Sequence, residues 1–383
     1  MKIPRAENNT SKEIIAERVS MLRSMGIALP HITHYSFEPE SASRNIENFI
    51  GVAQIPIGLA GPLKINGEHA QGEFLVPLAT TEGVLVASYS RGMKAITEAD
   101  GCYTHIRSDF LTGGAIFPLS SLALAVNFSR WCEKHTDDIA KQVEATTQHG
   151  RLHRLTTDIL GHRVAVNFQI ATVDAMGSNM RTSAVEAACQ WISREAPDTD
   201  PGHFYIVAEE KKPINSHRMS GKGRNVVAEV VIPESLLNRT FHTRAADLIE
   251  YFECMQQWWT TFGAQGHNGM IANGLAALYI ACGQDPAYIG EACSGHLNMS
   301  LEKHGDIRIT LDIPCLIIGT VGGACGLPTQ RECLRIIGCE GEGGARKFAE
   351  IAAAVALAGE LSGMAAVSAH EMASAHERMA RHR

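Results

Sequence analysis

None of the ten cysteines forms a CxxC pair or falls on a short regular spacing. This excludes both a zinc-ribbon pattern and a disulfide scaffold, and in a chain of 383 residues it reads as reduced, buried thiols suited to the cytosol. The opening stretch MKIPRAENNTSKEII has no apolar core, so no secretory leader is read there. No charge excess marks the chain as a nucleic-acid or membrane binder: 34 Lys and Arg stand against 41 Asp and Glu. An uninterrupted membrane-length apolar run is also missing. The longest candidate, IAAAVALAGELSGMAAVSA, is broken by Glu360 and rich in Ala and Gly, which predicts a tightly packed internal helix. The C-terminal SAHEMASAHERMARHR lacks the His-Glu-x-x-His spacing of a zincin. His370 and His376 are six apart, on different helix faces, and no metal site is read.

What is present is an ordinary globular composition, 45% hydrophobic and 20% charged, at a length that predicts more than one domain. Thr10 with Glu13 predicts a capping box for a first helix running to Gly26. Asn66-Gly67 between short apolar runs predicts a hairpin. Thr80 or Thr81 then caps a helix carrying Glu82, Ala87, Arg91 and Ala95. The middle reads as a strand at 122–128, a helix at 129–148, a hairpin of RLHRLTTDI and RVAVNFQIAT, a helix over AMGSNMRTSAVEAACQWISRE and a strand at 203–208. That β-α-β-β-α-β order is the split-βαβ, ferredoxin-like pattern. The predicted class is α+β, a large mixed domain with a small ferredoxin-like unit inserted. The expected divisions are an N-terminal segment (1–43), a large domain (44–113 and 207–365), a small cofactor domain (114–206) and a C-terminal flap (366–383). A strand at 225–232, a helical stretch to about 283, a hairpin around EKHGD and a long terminal helix complete the reading.

Four stretches carry chemistry out of proportion to their surroundings. TTEGVLVAS sets a single acid, Glu82, among apolar and small residues, and a carboxylate is costly to bury there unless paired or protonated. AEEKKP places Lys211 and Lys212 just after a strand, and IACGQDPA places Asp285 beyond an apolar helix. In DAMGSNM, Gly177 opens a backbone approach at a helix N-terminus, where free N–H groups attract phosphate. Each alone also has a plain reading, as solvated surface, helix-ending turn or capped helix start.

Taken in order, ENFIGVAQIPIGLAGPL, TTEGVLVAS, DAMGSNM, KKP with GKGRNVVAEVVIP, IACGQDPA, GTVGG and AGELSGMAA resemble the 3-hydroxy-3-methylglutaryl-coenzyme A reductase family from about residue 44 to 376. IACGQD and AGELS are closer to its NADPH-using class than to its NADH-using class. The resemblance implies reduction of an acyl-coenzyme A thioester to an alcohol in two hydride steps, through a hemithioacetal and an aldehyde. It makes Glu82, Lys211 and Asp285 the catalytic network, Asn273 the support of Lys211, and His376 the acid for the departing thiolate. Asp174, Met176, Gly177 and Asn179 would line the dinucleotide site, Arg151 would meet the 2′-phosphate, and Arg91 and Lys94 the coenzyme A phosphates. It also implies a homodimer, with Asp285 and the cofactor domain approaching Glu82 from the partner chain.

The acyl pocket departs from the family. Where the family grips a free carboxylate with Arg, Ser and Lys, an ungapped reading finds Gly113, Phe204 and, approximately, Glu253, and the acid before the catalytic Lys becomes Glu210. Together with Lys212 these define the expected substrate pocket, and the exchange weakens a grip on a dicarboxylic acyl group. Three readings stay open here: hydroxymethylglutaryl-CoA reduction to mevalonate, the same chemistry on a less acidic acyl-CoA or carrier-protein thioester, and a silent CoA-ester-binding paralogue. The tandem Trp258-Trp259 reads as packing before pocket wall.

Overall fold

The computed structural model describes residues 2–196, 204–206 and 222–371. Glu210, Lys211, Lys212 and His376 therefore lie outside the described residues.

A helix α1 (Lys12–Ser24) opens the chain, and its cap is Ser11, whose Oγ accepts the N–H of Ile14 at 3.4 Å. The expected Thr10 box is thus displaced by one residue. Ile14, Ile15 and Val19 of α1 meet Ala42 and Phe49 in a satellite core. Strands β1 (Ile57–Asn66) and β2 (Gln71–Ala79) form the expected antiparallel hairpin at Asn66-Gly67. Helix α2 covers Leu85–Glu98. Glu82 precedes it, because Val84, at φ 71°, is the N-cap in place of the expected Thr80 or Thr81.

The largest revision is β3, a 16-residue strand over Tyr103–Pro118. The segment 122–128, expected as a strand, is instead the first half of α3 (Leu122–Lys134), and α4 (Thr136–Ala145) follows. Ser121 decides this: its Oγ accepts the N–H of Leu124 at 3.2 Å, and Ala125, Phe128, Ser129 and Cys132 then share the buried face at helical spacing. Next come β4 (Arg151–Leu160), β5 (Arg163–Ala171), α5 (Ser178–Glu195) and the short β6 (Tyr205–Ile206). From β3 the observed order is thus β-α-α-β-β-α-β, with two helices where one was expected.

After 222 the chain gives β7 (Gly223–Ile232), α6 (Glu234–Phe241), α7 (Ala245–Thr261), α8 (Ile271–Ala281), the one-turn α9 (Ile289–Ala292), β8 (His296–Leu301), β9 (Ile307–Leu316), α10 (Pro328–Ile336) and α11 (Gly344–Ser368). Among the described residues, a seven-stranded sheet runs β4-β5-β3-β7-β9-β8, with β6 also on β3. Residues 103–110 of β3 pair with β7, and 111–118 with β5. The two main cores change over along the same strand: Leu111 belongs to the larger, Ala115 and Phe117 to the smaller. The division expected at 113/114 therefore falls inside a continuous strand, at the point where its packing changes.

Helix α11 is the axis of the larger core. Among the described residues it is the one helix long and apolar enough to cross a membrane, yet 83% of its apolar window is buried inside this fold. Gly92 lets α2 reach it, since a Cβ there would lie 1.9 Å from the carbonyl oxygen of Ala358. Its two buried acids are satisfied by backbone. Glu350 accepts the N–H groups of Glu68 (3.2 Å), His69 (2.9 Å) and Ala70 (2.6 Å) in the β1–β2 turn, and Glu360 caps α8. The ten cysteines stand outside disulfides, eight of them buried.

Candidate active site

Three of the motifs singled out in the sequence interlock. Gln284 is buried, and its amide bridges the loop beginning at Gly319: Nε2 donates to the Gly319 carbonyl at 2.9 Å, and Oε1 accepts the Gly319 N–H at 2.8 Å. Gly319 lies so close to Asp174–Met176 that a Cβ would sit 2.4 Å from the Met176 nitrogen. Thr320 closes the contact by donating its N–H to the Asp174 carbonyl at 2.8 Å. From the other side, the hydroxyls of Ser178 and Tyr288 are hydrogen-bonded, tying the start of α5 to the turn after Asp285. Buried Arg224 of β7 clamps both loops, donating to the carbonyls of Val173 and Ile318. Burial lowers its pKa, while Asp109 at 3.3 Å opposes that shift. IACGQDPA, GTVGG and DAMGSNM are thus joined to one another by hydrogen bonds.

Asp285 is half-buried and caps a short turn, its Oδ1 accepting the Ala287 N–H at 3.0 Å. Gly177 is the N-cap of α5 at φ +87°, and a Cβ there would strike Thr172 Cγ2 at 2.3 Å. Both conformation and space demand glycine. Asn179 is exposed on the first turn, and Met176 packs on the larger core. The Asp174 carboxylate is engaged in structure: it accepts the N–H groups of Gly343 (2.8 Å) and Ala345 (3.1 Å) at the N-terminus of α11.

Glu82 belongs to a second cluster. It is exposed in the single chain, so the burial inferred from its apolar neighbours in sequence is not provided by its own fold. Its backbone N–H bonds Thr80 Oγ1 at 3.0 Å, and its carboxylate oxygens accept from Asn273 Nδ2 at 3.1 and 3.0 Å. Asn273 is thus a partner of Glu82; its expected contact with Lys211 falls on a residue outside the described ones. The two clusters stand at opposite ends of α8. Asn273 and Ala281 are eight residues apart, about 12 Å at a helical rise of about 1.5 Å per residue, and Asp285 lies beyond.

The remaining expected residues are spread more widely. Arg91 is held against α11, donating from Nε to Ser362 Oγ (3.2 Å) and from Nη2 to the Ser362 carbonyl (2.9 Å). Burial lowers its pKa, and Glu371, 3.7 Å away, raises it in opposition. Lys94 is exposed and pairs with Glu98 one turn on. Arg151, at the start of β4, is exposed and reaches the Gly150 carbonyl at 3.0 Å. Gly113 faces Arg181 of α5: a Cβ would lie 2.7 Å from Arg181 Cδ, so the space of a side chain at 113 is filled by that arginine's stem. Phe204 packs on Phe117 in the smaller core, ring centroids 5.7 Å apart. Of the tandem tryptophans, Trp259 is packed and Trp258 is 60% exposed against Phe262.

With this geometry in place, the comparisons with known proteins are decisive. The family model for hydroxymethylglutaryl-coenzyme A reductase matches residues 14–381. The chain belongs to that family. A curated reductase of this name from Pyrococcus abyssi is 40% identical, the alignment covering 97% of this chain and 94% of the relative. One from Methanothermobacter thermautotrophicus is 37% identical, covering 94% and 91%. The class II reductase of Streptococcus pneumoniae, solved bound to NADPH in open conformations, superposes with a TM-score of 0.71 at 19% identity over 95% of this chain and all of that one, which establishes likeness of fold.

Sequence reading missed the residues that hold this family's motifs together. Gln284 sat inside a quoted motif with no signal beyond being polar in an apolar run. Tyr288, Ser178 and Tyr89 gave none. Glu360 did give one, as the lone acid in the most apolar stretch of the chain.

Proposed function

We propose that this protein catalyses the NADPH-dependent, four-electron reduction of hydroxymethylglutaryl-CoA to mevalonate and free CoA. The observation that carries this reading is the interlocked Gln284–Gly319–Asp174 body, which brings three family motifs to one place from distant parts of the chain. Glu82 acts as proton carrier for the aldehyde, Lys211 as the cation that stabilises the oxyanion, and Asp285 as the acid that couples to both. His376 protonates the leaving thiolate.

The small unit, in which β6, β3, β5 and β4 are neighbours in that order, is read as the ferredoxin-like cofactor domain. Its fit to a dinucleotide rests on Gly177 and on the first turn of α5, which no side chain caps, so its N–H groups suit a phosphate. The cofactor supplies hydride. Asn179 and Met176 would border it, and Arg151 would meet a 2′-phosphate. Asp174 would act there by holding the loop against α11.

The same geometry supports a homodimer. In one chain Glu82 and Asp285 lie toward opposite ends of α8, which supports a site built from Glu82 of one copy and Asp285 of the other. An exposed apolar strip on the β1–β2 hairpin, Ile57 (52%), Leu59 (55%) and Leu75 (46%), supports such a contact. Ten cysteines outside any disulfide suit a reducing, cytoplasmic setting.

The test is NADPH oxidation with a panel of acyl-CoA esters. Turnover is expected with hydroxymethylglutaryl-CoA at two NADPH per CoA released. Turnover of monoacyl thioesters alone would remove this substrate, and CoA binding without oxidation of any ester would remove the activity.

A further inference from the structure

Glu360 is fully buried on α11, and its carboxylate is given over to the N-terminal end of α8. Oε2 accepts the N–H of Gly269 at 2.9 Å, and Oε1 accepts those of Ile271 at 2.9 Å and of Met270. Such groups have no partner inside their own helix. Met270, the N-cap, offers no side-chain cap of its own. A carboxylate from another helix therefore does the capping. Tyr89 of α2 holds the same turn from a second direction, its hydroxyl donating to the Met270 carbonyl. The Tyr89 ring occupies a slot left by two glycines, where a Cβ on Gly274 or Gly359 would lie 2.3 or 2.4 Å from it. Asn273, in this same first turn, is the residue that reaches both oxygens of Glu82.

We infer that Glu360 is a positioning residue for Glu82, acting through the first turn of α8 and the amide of Asn273. The inference rests on the proton-carrying role of Glu82 proposed above. Its physical basis is that three converging donors and the Tyr89 bond hold the turn from two sides. Asn273 meets Glu82 at 3.0–3.1 Å, so a small shift of the turn opens that contact. A displacement of about 1 Å at a reacting group can cost ~10²-fold in rate.

A capping carboxylate with no reach beyond stability would leave kcat and Asn273 unlinked, and a double-mutant cycle separates the two cases. Glu360→Gln keeps the shape and one acceptor oxygen. It is expected to lower kcat about ten-fold while KM for the thioester stays within about two-fold. In an Asn273→Ala background the same substitution should cost less than about two-fold more, because both act through one contact. Tyr89→Phe should lower kcat by a factor of about three, again absorbed by Asn273→Ala, and it carries the cycle if Glu360→Gln does not fold. Additive effects, or a Glu360→Gln enzyme with unchanged kcat, overturn the inference. Glu82→Gln keeps the two readings apart. An active Glu82→Gln enzyme removes the role of Glu82, and with it this inference. An inactive one, with additive effects at 360 and 273, removes the inference alone.

Discussion

Asn273 holds both carboxylate oxygens of Glu82, at 3.1 and 3.0 Å, at the N-terminal end of α8, and Asp285 stands beyond the other end of that helix. In the homodimer proposed above, these two ends are halves of a site that two copies close together.

Subunit complementation follows. Glu82→Gln and Asp285→Asn homodimers should each be inactive. When the two chains are unfolded, mixed and refolded together, about half of the dimers are mixed, and each mixed dimer has one site with both acids intact. Roughly a quarter of the wild-type activity should return. Mixtures that stay inactive, although capture through an affinity tag on one of the two chains recovers the other, would place both acids in one chain's site.

Gly177 is the test of the cofactor side. At φ +87°, with Thr172 Cγ2 2.3 Å from any Cβ, Gly177→Ala must shift the start of α5. The expected result is KM for NADPH raised about ten-fold or more, with a stability loss of about 1–3 kcal/mol from the strained backbone. An unchanged KM, with the loss of stability present, would move the cofactor away from this turn.

Glu360 also gives a dependence of stability on pH. Burial raises its pKa from 4.5 to about 7, against the three backbone N–H donors that pull it down; Tyr89 of α2, Tyr251 of α7 and Cys293 after α9 face it. With the folded value above the unfolded one, the folded chain retains a proton that the unfolded chain releases. The contribution is complete below about 4.5 and is lost as pH rises through about 7, with a span of up to roughly 3 kcal/mol. Urea midpoints should therefore show wild type losing ground to Glu360→Gln between pH 5 and pH 8. A gap that stays constant or widens in favour of wild type would contradict this.

The hairpins at Asn66-Gly67 and at 151–171, the long α5 and the buried character of α11 were legible because each is set by neighbours in sequence: a turn dipeptide, a period of two, a period near 3.6. The segment LALAVNF alternates well enough to pass for a strand, and Ser121 was the local signal that should have made it a helix. The strand β3 was harder to see. Its Gly113-Gly114 looks like punctuation, yet there the strand passes from one core to the other, with Arg181 filling the space in front of Gly113.

By itself the sequence determined the family, the reaction it implies and the α+β class, because ordered motifs and local periodicity do not depend on what lies across the fold. Only the tertiary structure decided which residues meet. Glu82 pairs with Asn273 and is exposed in its own chain, and Asn273 lies a helix length from Asp285. Gln284 locks the loop at Gly319, and Glu360, read at first as an interruption in an apolar run, caps the helix that carries Asn273. The physical reason is that hydrogen-bonding groups buried by folding must find partners wherever the packing brings them, and those partners here lie tens to hundreds of residues away along the chain.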